Sequence, residues 1–494
     1  MPTGPSVLPA TSGRGAMSIA DALDEAPRSR FHMRTVVVSG VGFFTDAYDL
    51  FVISTVATLV TSQWHLSTYH KSWVTGAAIL GAFIGATVFG RVADLLGRKS
   101  VYVTVALVMI AGALLSACAT GFGWLVVARF LLGLGIGGDY PVSAVLMSEY
   151  SNRNDRGRLV GLVFSMQALG LIVGPLVALT LLKSGVSHNI TWRLLLGLGA
   201  VPAATVLWLR TLMPESPRFV AEVRGNAVKA AAELKAFSAG IASANGPTAS
   251  PKAGPRAPAS GHLVLFLREP RMLRLLVGTA GSWLLFDYAY YGNTLSLPTI
   301  LKEVSPAASV TTQLVWSLAI FVVFAVPGYI LAFSFMDRIG HRRLQMIGFA
   351  VMTGAFLILG FVPALTVHVA PFLAIFGVSY LFIEFGPNTT TFVLPSEIFP
   401  VRARTTGHGI SAGIGKLGAF VGVFLVPTLE TSIGLRGMLV VAAGSACLGM
   451  GLTLLLPEPA RRTLDDVSAG ADVVELATLP RSLEDDGRVL FAQH

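Results

Sequence analysis

Two carboxylates three residues apart, Asp46 and Asp49, lie inside an apolar run of membrane-spanning length, in Gly42-Phe43-Phe44-Thr45-Asp46-Ala47-Tyr48-Asp49-Leu50-Phe51. A helix needs ~20 apolar residues to cross the ~30 Å hydrocarbon layer, so both acids fall near mid-depth. Ionisable groups there are costly and usually mark the path of an ion, a proton or a substrate. Asp139, Asp287 and Lys416 repeat the pattern in later runs. Such charges must be kept from lipid, which points to a wet chamber where helix bundles meet.

Of the 494 residues, 53% are hydrophobic and 13% charged, against about 25% charged in an ordinary soluble domain. Charge-poor runs of spanning length recur about twelve times, from roughly 36–60 to 435–456. The strands of an outer-membrane barrel are only ~10 residues of alternating polarity, which these runs are not. The expectation is an all-α integral membrane protein of twelve transmembrane helices in two pseudo-symmetric six-helix bundles. The two cysteines, Cys118 and Cys447, fall inside predicted helices, so no disulfide framework or metal cluster is expected. The first 33 residues show no short apolar core with a cleavage site, so no cleaved signal peptide is expected either.

A net charge of +9 invites a nucleic-acid reading, but the cations alternate between loops. Arg91, Arg98 and Lys99 follow span 2; Arg153, Arg156 and Arg158 follow span 4; Arg338, Arg342 and Arg343 follow span 8; Arg402 and Arg404 follow span 10. The opposite loops hold only scattered cations such as Lys71, Lys183, Lys302 and Arg436. By the positive-inside rule the basic loops and both termini are cytoplasmic, in a multi-pass protein of the plasma (inner) membrane. The basic loops are topogenic, and no nucleic acid is expected as a partner.

The boundaries expected are a cytoplasmic tail at 1–33, a six-helix bundle at 34–213, a cytoplasmic linker at 214–272 that includes the Ala/Gly/Pro/Ser-rich segment Ser238 to Ser260, a second six-helix bundle at 273–456, and a cytoplasmic tail at 457–494 containing Glu484-Asp485-Asp486. The halves echo one another. Asp94-Leu95-Leu96-Gly97-Arg98-Lys99 resembles Asp337-Arg338-Ile339-Gly340-His341-Arg342, and Ser148-Glu149 resembles Ser396-Glu397. Parallel six-span halves with a ligand site near the midplane describe one common transporter architecture.

Trp283, Asp287 and Tyr291 recur at i, i+4 and i+8, one slowly turning helical stripe. A lipid-facing carboxylate is expensive, so the stripe is expected to face an interior cavity. Lys416, within Gly413-Ile414-Gly415-Lys416-Leu417-Gly418, lies about twelve residues into its span, too deep for easy snorkelling. It is either half of a structural ion pair or a fixed positive charge for an anion. Gln167 and Asn388 add neutral donors at similar depth, or serve as helix-helix glue. Gly133-Leu134-Gly135-Ile136-Gly137-Gly138 has no preceding strand, so it reads as a smooth helix-contact surface rather than a dinucleotide loop. Asp139 and Tyr140 point ~100° apart, Tyr140 to the cavity and Asp139 to the first helix. Burial penalises an ionised carboxylate, which suits Asp46 or Asp139 to loading and releasing a proton.

Taken together these residues resemble the major facilitator superfamily across essentially all twelve spans and, within it, the phosphate:proton symporter family. The superfamily-level matches are Gly90 to Lys99, Arg129 with the glycines after it, and Pro214-Glu215-Ser216-Pro217-Arg218-Phe219. The family-level matches are Gly42 to Phe51, Gly137-Gly138-Asp139-Tyr140-Pro141, Met166-Gln167, the Trp283/Asp287/Tyr291 stripe, Gly386-Pro387-Asn388-Thr389-Thr390-Thr391-Phe392, His408-Gly409-Ile410-Ser411 and Gly415-Lys416. The resemblance implies phosphate binding by Tyr140, Gln167, Trp283, Asp287, Tyr291, Asn388 and Lys416, and proton carriage by Asp46, Asp139 and Asp49. Glu384 departs from it, standing where an amide residue is expected; it either pairs with a cation or alters proton coupling.

The function expected is secondary active uptake of inorganic phosphate with protons by alternating access, without cofactor or metal. Asp94 with Arg98 and Glu149, and Asp337 with Arg342 and Glu397, are expected to gate the cytoplasmic ends. A proton-coupled carrier of another small anion, organic acid or sugar is the nearest rival, and a non-transporting nutrient sensor a second. No nucleophile-base pair or nucleotide loop speaks for an enzyme. Oligomeric state is not readable from the sequence.

Overall fold

Helices are the only regular elements among the described residues, as a chain crossing lipid requires, because each backbone N–H and C=O must be satisfied within its own segment. The structure is a computed structural model and describes residues 23–25, 27–226, 228–230 and 268–468. The segment Ser238 to Ser260, most of the N-terminal tail and Glu484-Asp485-Asp486 lie outside the described residues.

The first half comprises α1 (Arg30–Trp64), α2 (Thr68–Leu96), α3 (Arg98–Ala117), α4 (Phe122–Tyr150), α5 (Arg156–Lys183) and α6 (His188–Thr211). A short helix, Pro217–Glu222, follows. The second half comprises α7 (Pro270–Leu295), α8 (Val310–Ile339), α9 (His341–Phe361) and α10 (Val369–Ile398), then the long segment Arg404–Thr453. That segment is parted at Gly434, whose φ of 70° and ψ of 169° no helix accommodates, into α11 before it and α12 after it.

Among the described residues, ten helices are long and apolar enough to cross a membrane, against the twelve spans expected. Two features account for the difference. The segment holding α11 and α12 counts once, and α7 is not among the ten although 26 residues at ~1.5 Å each span the hydrocarbon layer. α7 carries Trp283, Asp287, Tyr288, Tyr290 and Tyr291, so the side chains that make it interesting also make it less apolar. α1 begins at Arg30, inside the stretch 1–33 expected to be a cytoplasmic tail. Asp24 is also held, by Arg156 at 2.6 Å and Arg218 at 2.9 Å.

Glycine sets the helix spacing in the first half. A Cβ on Gly133 would run into the Ala78 carbonyl, and one on Gly137 into that of Ala82; on the facing helix Gly81 meets the Phe130 carbonyl and Gly85 that of Leu134. α2 and α4 therefore touch backbone to backbone, the close approach that small residues permit in membranes. Between the halves, α2 packs along α11 at Gly90 and Gly409, and α5 along α8 where Gly161 meets Met336 and Phe333.

Several spans are broken on purpose. α5 is interrupted at Met166, immediately before Gln167. α10 breaks at Gly386 (φ −111°, ψ −106°) ahead of Pro387, and the Thr389 hydroxyl donates to the freed carbonyl of Glu384 at 2.7 Å. Broken helices at this depth are tolerated where other groups satisfy the backbone.

Gly133→Ala is expected to destabilise the detergent-solubilised protein by about 1–3 kcal/mol, the usual cost of overpacking. Gly354→Ala, which meets nothing within 4 Å, is expected to be neutral or stabilising by up to ~1 kcal/mol. Thermal-unfolding midpoints of the two variants check the contrast.

Candidate functional site

Lys416, just past the middle of the α11 stretch before Pro427, is buried and faces α7. Its Nζ donates to Asp287 Oδ2 and to the Tyr291 hydroxyl, each at 2.9 Å. The same nitrogen lies 4.2 Å from the Tyr291 ring centroid and 4.8 Å from that of Tyr140 on α4. Of the two alternatives left open for Lys416, the ion pair is what the structure contains, and the same charge faces groups from both halves. Asp287 Oδ1 accepts no hydrogen bond among the described residues. Trp283 lies one turn before Asp287 and packs under Gly415, its ring 6.4 Å from Tyr140 and 5.8 Å from His408.

A chain of hydrogen bonds continues from Tyr140 across the interface. Gln167 Nε2 donates to the Tyr140 hydroxyl at 3.0 Å, the Tyr329 hydroxyl on α8 donates to Gln167 Oε1 at 3.2 Å, and Asn388 Nδ2 donates to the Tyr329 oxygen at 2.9 Å. Asn388 also donates to Glu384 Oε2. Phe43, Phe164 and Phe392 close one side of this set, with centroids 4.6–5.5 Å apart. All seven residues expected to bind substrate therefore fall into one buried, connected group at the interface of the halves.

The acids of α1 and α4 sit beside it. Asp139 pairs with Arg210 of α6 at 2.7 Å and accepts from Ser143 at 3.2 Å. Gly42 lets α1 approach this pair, since a Cβ there would meet both Arg210 and Asp139. Asp49 lies 4.0 Å from Arg129 Nη1, and Arg129 Nη2 donates to the Asp49 carbonyl at 2.7 Å. Neither oxygen of Asp46 accepts a hydrogen bond among the described residues; its electrostatic neighbours are Asp139, Arg210, Asp49 and Lys416.

At the end bearing the basic loops, polar contacts cross between the halves. Arg98 bridges Asp94 at 3.1 Å and Glu149 at 3.2 Å and donates to the Val401 carbonyl at 3.2 Å. Asp94 Oδ2 accepts from the Thr406 N–H at 2.7 Å and the Thr406 hydroxyl at 2.6 Å. Arg404 reaches Glu149 at 3.7 Å. The second half repeats the arrangement with one change. Asp337 pairs with His341 at 3.3 Å, not with Arg342, and accepts from the Arg158 N–H at 2.8 Å. His341 also reaches Glu397 at 3.6 Å. The expected Asp337–Arg342 pair does not form: Asp337 lies near the end of α8, and across the turn at Gly340 (φ 99°) it is His341, the first residue of α9, that meets it. The backbone N–H groups of His341 and Arg342 donate to Glu458 instead. Glu215 takes the matching place in the first half, accepting from the Lys99 N–H at 3.4 Å. Burial pushes the Glu215 carboxyl above its usual value, opposed by the Ser216 N–H and Arg98.

The family model described as sugar (and other) transporter matches residues 35–470. The inorganic phosphate transporter 1-11 of Oryza sativa subsp. japonica is 35% identical, over 92% of this chain and 91% of its own. The repressible high-affinity phosphate permease of Neurospora crassa is 33% identical, over 93% of this chain and 90% of its own. This chain belongs to the phosphate transporter family of the major facilitator superfamily. The low affinity inorganic phosphate transporter 4 of Medicago truncatula is a further relative, 34% identical over 92% of this chain and 94% of its own. Among solved structures, a superfamily proton:xylose symporter bound to 6-bromo-6-deoxy-D-glucose superposes with a TM-score of 0.75 at 18% identity, over 89% of this chain and 98% of the other. The family fold and the membrane-crossing helices make this a multi-pass transporter, not an enzyme.

Sequence reasoning alone left several members of this transporter's interior unnamed. Arg210 is not singled out by the sequence and Arg129 enters only as a superfamily-level match, yet each pairs with a buried acid, Asp139 and Asp49 respectively. Tyr329 gave no signal, being one aromatic in an apolar run. His341 was legible: in the repeat alignment it stands opposite Arg98. Glu384 forms no ion pair among the described residues and instead accepts from Tyr290 at 3.0 Å and from Asn388, so the cation-pairing alternative is not what the structure contains.

Arg210→Leu strands Asp139 and is expected to cost about 3–5 kcal/mol, as breaking a buried pair does. Adding Asp139→Asn to it should recover part of that loss. A double-mutant cycle on unfolding midpoints reads the coupling.

Proposed function

We propose that the protein is a proton-coupled symporter that takes up inorganic phosphate by alternating access, with its basic loops and both termini on the cytoplasmic side of the plasma (inner) membrane. The observation that carries this reading is Lys416 Nζ within 2.9 Å of Asp287 and Tyr291, at the junction of two halves that each contribute neutral donors. The names of the phosphate-transporting relatives support it, and the loop charges support the orientation.

Dihydrogen phosphate is held by Lys416 as a point charge, with Tyr140, Gln167, Trp283, Tyr291 and Asn388 donating to its oxygens. Asp287 selects the substrate. Its Oδ1 has no partner within ordinary hydrogen-bond geometry among the described residues, and can take the O–H that phosphate brings. Sulfate at neutral pH has no such hydrogen, so a buried acceptor would stay unpaired, a large discriminating cost. Arsenate, which carries an O–H, passes the same test.

Asp46, Asp139 and Asp49 carry the coupling proton. A proton on Asp46 removes a buried charge that no hydrogen bond holds, and lets the halves rock around the site. Each cotransported proton gains ~2.3 kcal/mol per 100 mV of inside-negative potential. Asp94, Arg98 and Glu149 in one half, and Asp337, His341 and Glu397 in the other, close the cytoplasmic end.

In proteoliposomes with an imposed pH gradient, radiolabelled phosphate should accumulate, arsenate should compete and excess sulfate should not. Lys416→Ala is expected to abolish phosphate binding, while Asp46→Asn keeps binding and loses pH-driven accumulation. Binding without flux in the wild type would favour a sensor, and competition by organic acids or sugars another carrier.

A further inference from the structure

Of the two buried carboxylates on α10, Glu397 belongs to the cytoplasmic end, and Glu384 is outside both the phosphate cage and the acids of α1 and α4. Glu384 is fully buried. Among the described residues no Lys, Arg or His forms an ion pair with it, and its hydrogen-bond partners are the neutral donors Tyr290 at 3.0 Å, Tyr329 and Asn388. The titratable groups facing it are all phenols: Tyr290 and Tyr291 from α7, Tyr329 from α8 and Tyr380 on α10 itself. α9 meets this stretch with Gly348, against Gly386 and Pro387.

The geometry sets Glu384 in competition with the substrate. The amide of Asn388 has two N–H donors, and both are committed, one to the Tyr329 oxygen and one to Glu384 Oε2. Asn388 can donate to an anion only by giving up one of them. The Tyr329 hydroxyl has a single hydrogen, wanted by Gln167 Oε1 and by Glu384 alike. A proton on Glu384 resolves both conflicts: the carboxyl releases the Asn388 amide and itself donates, leaving the Tyr329 hydrogen to Gln167. Charge favours the same exchange, because Lys416 and Asp287 cancel, and an ionised Glu384 would stand beside the bound anion with no cation to offset it.

We propose that Glu384 is a substrate-linked proton site, which takes up a proton as phosphate binds and gives it up as phosphate leaves. The inference rests on the phosphate reading above and adds one proton to each transport cycle. The proton comes from water on the side where phosphate enters and departs on the side where it is released. Asn388 turns between the anion and Glu384 as the two states alternate.

The test is the full-length protein in proteoliposomes, with radiolabelled inorganic phosphate uptake and proton influx measured together. Glu384→Gln, which is locked in the uncharged form, is expected to carry one proton fewer per phosphate than wild type and to show a flatter dependence of phosphate affinity on pH, by up to tenfold per pH unit. Phosphate transport with unchanged stoichiometry and pH slope overturns this inference alone. Absence of phosphate binding and uptake in wild type overturns the phosphate reading and this one with it. Should Glu384→Gln not fold, infrared difference spectra on adding inorganic phosphate to the wild type decide. A protonated-carboxyl band is expected that survives in Asp46→Asn and shifts in Glu384→Asp; no band, or one lost with Asp46, overturns the proposal.

Discussion

A lysine held away from water in the middle of a helical bundle constrains everything around it. Taking an ammonium and a carboxylate out of water costs several kcal/mol each, and their attraction offsets this only when geometry is good and the remaining hydrogens are used. Lys416 meets that demand with Asp287, the Tyr291 hydroxyl and two ring faces, contacts of a kind worth ~2 kcal/mol each when desolvated. An incoming anion must therefore displace partners that already satisfy the charge. Binding becomes an exchange of partners, so what the neighbours do when released matters as much as what the anion touches.

The same logic ties the first half together. Asp139 with Arg210 links α4 to α6, and Asp49 with Arg129 links α1 to α4. Asp46 is the acid left out of these pairings. The two ends of the interface close by different physics. At the basic end the contacts are ionic and hydrogen-bonded; at the opposite end Trp73 and Tyr69 lie edge-on to Phe420 and Phe424, with centroids 5.3–6.5 Å apart. Polar links can be handed over to water, whereas parting the aromatic cluster exposes apolar area at ~25 cal/mol per Å².

Much of this was legible in the sequence because membrane burial makes charge conspicuous. Asp46, Asp139, Asp287 and Lys416 announced themselves as ions in apolar runs, and the i, i+4, i+8 spacing put Trp283, Asp287 and Tyr291 on one face. Partners were harder. Arg210 stands at the end of its span, where a cation is unremarkable, and only the folded packing of α6 against α3 and α1 turns it inward. Tyr329 and Tyr290 are aromatic residues among many. The repeat supplied more than spacing did: Asn388 stands nine residues before Glu397 as Tyr140 stands nine before Glu149, so equivalent places in the two halves face the same chamber. His341 was visible by that comparison too, and missed only when adjacent basic residues were treated as interchangeable.

The hydrogen bonds from Thr406 and Arg158 to Asp94 and Asp337 have a further meaning. Each donor is the third residue of its helix, counted from Arg404 and from Arg156, where a backbone N–H has no partner within the helix. A carboxylate borrowed from the opposite half thus completes the start of α11, and another completes the start of α5. A local cap of this kind is worth ~1 kcal/mol. When the halves swing apart, both helix starts pass from acid to water at once, giving up little free energy, so the closed end is held firmly enough to form and loosely enough to reopen in every cycle.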